Sequence, residues 1–345
     1  MFFPVAVAVS LVLGAAVAAL DASKYPPPLA VPPPNAEWSA RFLGSLPSTV
    51  PGDIVRCRDN ADYALTYDDG PSKFTPSVLS RLAKSSLKAT FFVVGSQVLQ
   101  NPDILLNAYR AGHEIAIHTW SHPHLPSLTS EQIVAEIMWT ATIIKEVIGV
   151  TPKFMRPPYG EIDDRVRSVL RAMNLEVVIW SIDTEDWTGS KTVAQTLRDN
   201  AVKGADGTIP LEHDLYDFEA SQALQAIDAL MEVAKGRSFK TVSQCTGRAA
   251  YDESLLSGAA PSPSTSRASS TSTTATSAIP SSTFSARMTP STRASSTTLP
   301  VQFLPTSQPG SPAQGGGSNG AARVSGTFAA MSCAIAFVAF AALLL

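Results

Sequence analysis

The 345-residue sequence contains little charge and few cysteines. Charged residues make up 16% of it and the formal net charge is −3, so no basic excess favours a nucleic-acid partner. No Asn-x-Ser/Thr sequence occurs, and N-linked glycans are therefore not expected. Three cysteines are present, and Cys57 and Cys245 bracket the central region while Cys333 lies further along. In a secreted chain the first two are candidates for one disulfide, and two unpaired thiols are the alternative.

Acidic residues are absent from the last part of the sequence, since no Asp or Glu follows Glu253. Residues 261–300 instead contain 23 Ser or Thr among 40 residues. A segment of this composition cannot bury enough apolar surface to offset the entropy lost on ordering. We therefore expect residues 254–314 to form a disordered, O-glycosylated stalk.

Long apolar runs occur near the two ends of the sequence. Residues 1–19 are apolar and finish with small residues, which is typical of a secretory signal peptide, although no Lys or Arg precedes the run. Residues 315–320 read GGGSNG, and an apolar tail covers residues 328–345. This order favours a GPI-anchor signal at 315–345 over a membrane-spanning tail. Asn319 and Ser318 are the expected lipid attachment residues, with Gly315 as the alternative.

Short apolar runs alternate with helical patterns between residues 60 and 247. Strands are predicted at 63–67, 89–94, 114–117, 177–182, 208–211 and 240–242, and helices at 76–85, 102–111, 129–149, 163–173, 192–202 and 219–235. This alternation favours parallel strands joined by crossover helices, but it does not distinguish a barrel from an open sheet. Residues 20–59 come before this region and are rich in proline, so we expect an extended, solvated segment there.

Two clusters in the central region have metal-binding chemistry. Residues 66–71 read TYDDGP, and residues 118–122 read HTWSH. One carboxylate and two imidazoles form a three-ligand set for a catalytic divalent metal that keeps one position open for water. The second carboxylate of the pair is then a candidate general base. The alternative interpretation is a turn signal beside two surface histidines.

The two clusters resemble the first two of five motifs of the polysaccharide deacetylase family, also called the NodB homology domain or carbohydrate esterase family 4. The remaining motifs follow in order, as RPPYG at 156–160, DTEDW at 183–187 and LEH at 211–213. The resemblance covers roughly residues 60–245 and implies a distorted (β/α) barrel of about seven parallel strands, with the site at their carboxyl ends. The sequence departs from the family at Tyr67, where Phe is usual, and at Pro210, which predicts an edge strand or a bulge.

The resemblance implies a role for each polar residue of the first three motifs. The expected metal ligands are Asp69, His118 and His122, a set that suits zinc and also admits cobalt. We expect the two histidines to share one face of a helical turn. Asp68 is the expected base acting on the water at the metal, and Arg156 is expected to hold it through an ion pair. The alternative for Arg156 is a surface arginine at the end of a strand.

The last three motifs are expected to supply the acid and the pocket. His213 is the predicted general acid, and Asp186, rather than Asp183, is expected to keep it protonated. Tyr159 is expected to stabilise an oxyanion through its backbone N–H. A core histidine and a rigid loop without chemistry are the respective alternatives. Two further side chains are expected to wall a small apolar pocket, namely Trp187 and Leu211.

Several other rings have no place in the five motifs. His113 is predicted to be structural, and His124 is predicted to support the ligands or to be structural. The candidates for sugar-stacking platforms are Tyr67, Trp120 and Trp139, although core packing is favoured for Trp139.

Together these features predict a secreted, monomeric, metal-dependent amidase that removes N-acetyl groups from a β-1,4-linked N-acetylglucosamine polymer such as chitin. Its expected surroundings are the cell wall and the outer leaflet of the plasma membrane, reached through the GPI lipid. The alternatives are an O-acetyl esterase acting on acetylxylan, a peptidoglycan deacetylase, and an inactive chitin-binding wall protein.

Overall fold

The computed structural model describes residues 20–203 and 207–257. The predicted signal peptide, most of the predicted stalk and the predicted anchor signal lie outside these residues. The strands are β1 (Asp62–Tyr63), β2 (Thr66–Asp68), β3 (Thr90–Val93), β4 (Glu114–Ile117), β5 (Phe154–Met155), β6 (Glu176–Val177), β7 (Ile182–Asp183), β8 (Pro210–His213) and β9 (Ser238–Phe239). The α-helices are α1 (Ala36–Leu43), α2 (Thr75–Lys84), α3 (Gly95–Gln100), α4 (Pro102–Arg110), α5 (Ser130–Ile148), α6 (Asp164–Ala172), α7 (Val193–Lys203), α8 (Asp217–Val233) and α9 (Val242–Thr246).

Seven of the strands form one parallel, curled sheet in the order β6-β5-β4-β3-β2-β8-β7. The two edge strands, β6 and β7, are consecutive in sequence and are separated by residues 178–181 alone. The chain therefore passes from one edge of the curled sheet to the other over these residues. Strands β1 and β9 form a separate parallel pair. This arrangement confirms the prediction of a distorted barrel of about seven parallel strands.

Helix α5 shows how local sequence sets the boundaries of an element. The Thr129 side chain accepts a hydrogen bond from the backbone N–H of Gln132, the Gln132 side chain bonds back to the N-cap, and the helix ends at Gly149 with φ 82°. These are a capping box and a left-handed C-cap. The apolar side of α5, which includes Ile133 and Ile137, is fully buried in the core. Among the described residues no helix combines the length and apolar character needed to cross a membrane.

The structure corrects several predicted strands. The run at 63–67 is divided between β1 and β2, and the run at 177–182 is divided between β6 and β7. The strand predicted at 240–242 is wrong, because β9 ends at Phe239 and Val242 begins α9. Strand β5 and the helices α1, α3 and α9 were not predicted. Two-residue strands are too short for a periodic pattern to identify them.

Pro210 does not place its strand at an edge, which was one of the two predicted possibilities. Strand β8 lies between β2 and β7, and Pro210 is paired in register with Ile182 of β7. Pairing with β2 begins two residues later, where Tyr67 lies opposite Glu212. The Pro210 carbonyl accepts a hydrogen bond from the Thr66 hydroxyl. The missing N–H is thus tolerated, because Pro210 lies before the residues of β8 that pair with β2.

The proline-rich segment is not wholly solvated, which corrects a second expectation. Tyr25 is buried, and its ring stacks on Trp120 with centroids 5.8 Å apart and planes 6° apart. The segment also contains α1, capped by the Asn35 side chain. Part of it therefore belongs to the core of the described structure.

A disulfide joins Cys57 to Cys245, as expected from the sequence. The two residues are 188 positions apart, and both are buried. The bond connects the segment before β1 to α9, at the two ends of the region that contains the sheet.

Candidate metal centre and active site

The polar side chains of the five motifs meet at the carboxyl edge of the sheet. Asp68 is the last residue of β2 and lies in register with His213, the last residue of β8. His118 follows β4, and Arg156 follows β5, where its N–H bonds to the carbonyl of Ile117. Because the strands are parallel, motifs far apart in sequence converge at this edge.

Asp69, His118 and His122 form a compact cluster with the donor types of a metal site. One Asp69 oxygen, Oδ1, lies 3.3 Å from Nε2 of His118 and 3.2 Å from Nε2 of His122. One ligand atom from each residue can be chosen so that all lie within 4.8 Å of one another. Two imidazoles and a carboxylate are an appropriate set for zinc.

The surroundings of these atoms also fit a cation. His118 Nδ1 lies 2.8 Å from the carbonyl oxygen of Arg156, and Nδ1 must donate in this bond because a carbonyl only accepts. In the neutral imidazole the lone pair is then on Nε2, which faces Asp69. Asp69 Oδ1 is buried without a hydrogen-bond donor among the described residues. Burial alone would raise the pKa of Asp69, but the neighbouring imidazoles of His118 and His122 hold it well below its ordinary value. Burial lowers the pKa of His122 to about 4, so its imidazole is neutral, as a metal ligand must be.

The two histidines do not lie on a helical turn, and that expectation was wrong. Residues 118–122 form a loop after β4, in which Thr119 has φ 68° and His122 has φ 59°. Asp69 also lies in the left-handed region, with φ 73°. Such angles are unfavourable for residues other than glycine and persist where the surroundings determine the backbone. A tight loop, rather than helical periodicity, brings the imidazoles together.

Asp68 and Arg156 form the predicted ion pair in the interior of the protein. Arg156 Nη1 lies 2.7 Å from Asp68 Oδ1, and the side chains are 0% and 2% exposed. The same nitrogen also donates to the hydroxyl of Thr66, and the guanidinium lies 4.1 Å from the centre of the Phe92 ring. This arginine is therefore buried beneath the site rather than exposed at the surface. The other oxygen of Asp68, Oδ2, lies 3.8 Å from Nε2 of His118.

His213 is paired with Asp186 at the end of the neighbouring strand, β8. Its Nδ1 is 2.7 Å from Asp186 Oδ1, and its backbone N–H donates to Oδ2 of the same carboxylate at 2.6 Å. Burial would lower the pKa of His213, but the hydrogen bond and charge of Asp186 outweigh it and raise the pKa to about 10. Asp183 is exposed, and its carboxylate accepts instead from the N–H of Glu185. The structure thus selects Asp186, as expected.

Tyr159 lies at the rim of the cluster. It has φ 61°, it is 54% exposed, and its hydroxyl is 3.2 Å from Nδ1 of His122. His124 stacks on the Tyr159 ring at 4.1 Å and pairs with Glu161 at 2.7 Å. His124 therefore supports the loop of the third motif, whereas His113 is a buried core residue that accepts a hydrogen bond from the N–H of Ala89.

A cavity of about 370 Å³ opens above these groups. The half-exposed ring of Trp187 and the buried side chain of Leu211 line it, together with Asp68, Tyr159 and His213. Trp180 also lines the cavity and was missed, because the sequence places it in a strand without a motif. Tyr67 and Trp120 are both 0% exposed, so the interpretation of these rings as sugar platforms was wrong.

Asp214 is a second residue that sequence reasoning missed. It is buried against Gly70, where any side chain would collide with its carboxylate, and it accepts a hydrogen bond from Thr75 at 2.6 Å. Burial raises its pKa to about 7. Its contacts link the end of β8 to the turn that follows Asp69. In the sequence, the position of Asp214 next to His213 was the one signal that could have identified it.

The fold and the site define an α/β protein with a candidate metal centre at the carboxyl edge of its sheet. A family model described as polysaccharide deacetylase matches residues 56–178. Chitin deacetylase 2 of Saccharomyces cerevisiae is 38% identical over 241 residues, covering 65% of this chain and 74% of that protein. The chain therefore belongs to the polysaccharide deacetylase family.

Two further comparisons agree with this assignment. Chitin deacetylase 1 of Cryptococcus neoformans var. grubii is 43% identical over 216 residues, which cover 57% of this chain. The match spans 46% of that relative, less than half of its length. The solved structure of the chitin deacetylase from Colletotrichum lindemuthianum aligns with a TM-score of 0.55 at 30% identity, over 59% of this chain and 96% of that one.

Proposed function

We propose that this protein hydrolyses the N-acetyl groups of N-acetylglucosamine units in chitin, releasing acetate and leaving free amines. The observation that carries the proposal is the placement of a carboxylate, Asp68, and a histidine, His213, in register at one edge of the sheet, next to the Asp69, His118 and His122 cluster. A base and an acid on adjacent strands beside a metal cluster suit the hydrolysis of an amide.

The cluster would hold one divalent ion, with zinc as the proposed metal and cobalt as the alternative. When bound, such an ion lowers the pKa of a water molecule and polarises a carbonyl oxygen. The chain must then supply a base for the attacking water and an acid for the departing nitrogen.

Asp68 is the proposed base. Its ion pair with the buried Arg156 orients the carboxylate and uses Oδ1, while Oδ2 lies 3.8 Å from Nε2 of His118. The carboxylate takes a proton from the water as the new C–O bond forms. Positioned groups of this kind contribute about 10²–10⁴-fold to a rate.

His213 is the proposed acid. An amide nitrogen leaves poorly as an anion, so the C–N bond breaks as the nitrogen receives a proton. Asp186 binds Nδ1, leaving Nε2 to donate, and the pKa of about 10 keeps the imidazole protonated at neutral pH. The products are acetate and a protonated amine, which together contain both hydrogens of the water. Asp68 then releases the proton that it took, and His213 regains the one that it donated.

The remaining residues are proposed to hold the acetyl group. The backbone N–H of Tyr159 is the proposed donor to the oxyanion, held in place by a loop with two prolines. Leu211 and Trp187 provide apolar walls of the cavity, which suit a methyl group.

The choice of chitin rests on the similarity to fungal proteins named chitin deacetylases. An O-acetyl esterase would have a leaving alcohol that needs less protonation, so a histidine held in the cationic form favours the amide. We further propose that the enzyme acts as a monomer at the cell wall, on the outer face of the plasma membrane. Here the Ser/Thr-rich composition of residues 254–314 suits a glycosylated stalk, with a GPI lipid at Asn319 or Ser318. Release of active protein from membranes by a phosphatidylinositol-specific phospholipase would test the anchor.

Mass spectrometry of products from a defined chitin oligomer tests the activity. We expect loss of acetyl groups from the oligomer, with acetate appearing in equal amount. Acetylxylan provides the parallel ester substrate. Acetate release from acetylxylan but not from chitin would contradict the proposal and favour the esterase, and release from neither would exclude both.

A further inference from the structure

We propose that Glu136, on helix α5, is the positioning residue of the metal centre. It lies outside the five motifs, and it touches none of the three proposed ligands. It fixes the loop that connects two of them, His118 and His122. The inference rests on the proposed metal site and adds to it a residue that determines how the site is formed.

Glu136 is fully buried, and its carboxylate accepts three hydrogen bonds from this loop. One oxygen, Oε2, accepts from the backbone N–H of Trp120 at 2.7 Å and from that of Ser121 at 2.9 Å. The other oxygen, Oε1, accepts from the Ser121 hydroxyl at 2.6 Å. Bonds to a carboxylate are about twice as strong as bonds between neutral groups, so these contacts are a firm constraint.

Three other polar backbone groups of the loop have their own partners. The carbonyls of Thr119 and Trp120 accept hydrogen bonds from the N–H groups of Gly95 and Ser96. The N–H of His122 donates to the hydroxyl of Thr119 at 3.1 Å. Glu136 thus supplies the acceptors for the two consecutive N–H groups in the middle of the loop. Without it, these two N–H donors would lose their partners, and the loop would lose two of the hydrogen bonds that fix it.

The backbone conformation explains why such a constraint is needed. Thr119 and His122 both have positive φ, so the loop is intrinsically unfavourable at the two places that aim the imidazoles. Trp120, between them, is fully buried, stacks on Tyr25 and donates through Nε1 to the carbonyl of Pro27 at 3.3 Å. The loop is therefore held on one side by Glu136 and on the other by the N-terminal segment.

Three variants on the same helix test the role of Glu136. Glu136→Leu fills the space but offers no acceptor, whereas Glu136→Gln keeps one carbonyl oxygen and can donate to the Ser121 hydroxyl. Glu131→Leu is the matched control, because Glu131 is exposed on the first turn of α5. The measurements are the affinity for Zn²⁺ in competition with a chelator, and hydrogen exchange at the amides of Trp120 and Ser121 in the metal-free protein.

We expect Glu136→Leu to weaken zinc binding by about tenfold or more, with faster exchange at both amides, and Glu136→Gln to lie between it and the wild type. The control is expected to match the wild type. Unchanged zinc affinity in Glu136→Leu, even with a lower melting temperature, would show a merely structural glutamate and overturn the inference. If the leucine variant does not fold, the glutamine variant decides, since unchanged amide exchange and zinc affinity there would also overturn it. Failure of the wild type to bind zinc would instead refute the proposed metal site, and the exchange data would still report on the loop.

Discussion

Asp68 and His213 end two adjacent parallel strands and lie directly opposite each other in register. Each is paired with an oppositely charged partner, Arg156 for Asp68 and Asp186 for His213. The buried arginine orients the Asp68 carboxylate, and the buried aspartate favours a cationic imidazole at His213. The proposed base and the proposed acid thus end adjacent strands, and each has an oppositely charged partner, which suits paired base and acid catalysis.

Asp186→Asn is expected to move the alkaline limb of the pH profile to lower pH. Asp186 raises the pKa of His213 to about 10 against the effect of burial, so removing its charge lets that pKa fall. The acid form is then lost at lower pH, and kcat/KM declines earlier as pH rises. A shift of more than about one pH unit is expected, equal to about 1.4 kcal/mol. Asp183→Asn is the control, and an alkaline limb that stays in place in Asp186→Asn would contradict the pairing.

His118→Ala and His122→Ala are each expected to lose bound metal together with activity. Loss of a contact that supports a ligand lowers metal affinity by about 10–100-fold. Removal of the ligand itself should lower the affinity further. Metal analysis after dialysis measures this directly. His124→Ala is the control, since His124 stacks on Tyr159 and is not part of the cluster. Full metal content in either ligand variant would make the assignment wrong.

Glu212→Gln is expected to stabilise the protein at neutral and higher pH. Glu212 is fully buried, both of its oxygens lack a hydrogen-bond partner among the described residues, and burial raises its pKa well above the ordinary value. The folded state therefore holds a proton that the unfolded state releases above about pH 4.5. The free energy of unfolding then falls by up to about 1.4 kcal/mol per pH unit as pH rises towards the folded-state pKa.

Melting temperatures of the wild type and Glu212→Gln between pH 4 and pH 8 test this. The two curves should approach each other at pH 4 and separate as pH rises, with the variant higher. Glu131→Gln, at an exposed site, should follow the wild type. Parallel curves for Glu212→Gln would show that Glu212 does not carry the proton.

Replacing both Cys57 and Cys245 by serine is expected to destabilise the protein considerably. The disulfide closes 188 positions of chain, and a loop of this length corresponds to roughly 5 kcal/mol in the loop-entropy model, with smaller values often observed. Chemical unfolding measures the loss. Thiol labelling of the unreduced, denatured protein should leave both cysteines unlabelled, and labelling of either one would contradict the pairing.

Much of the site was predictable because the chemistry is concentrated in short motifs. The cluster of Asp69, His118 and His122, the contact of Asp68 with Arg156 and that of His213 with Asp186 were all expected. Helix α5 was also predictable, since its caps and apolar spacing are local properties.

The rest depends on relationships that only the folded chain creates. Spacing of four residues suggested a helical turn for the two histidines, but positive φ at Thr119 and His122 makes a loop there. Glu136 appears in the sequence as one more residue of a helix, and its bonds to a loop 15 residues earlier have no local signature. Trp120 appeared to be a surface platform, yet Tyr25 from the proline-rich segment covers it. Nothing in the local sequence shows that Pro210 lies before the part of β8 that pairs with β2.

The most direct test of the account measures metal content and acetate release together in Asp68→Asn. This change keeps the size of the side chain and leaves Asp69, His118 and His122 in place, but it removes the proposed base. We predict full occupancy by zinc or cobalt and a rate on a chitin oligomer at least about 100-fold below that of the wild type. The wild type should lose activity with a chelator and recover it when the metal is restored. Retention of more than about a tenth of the rate in Asp68→Asn, or full activity of the metal-free wild type, would contradict the account.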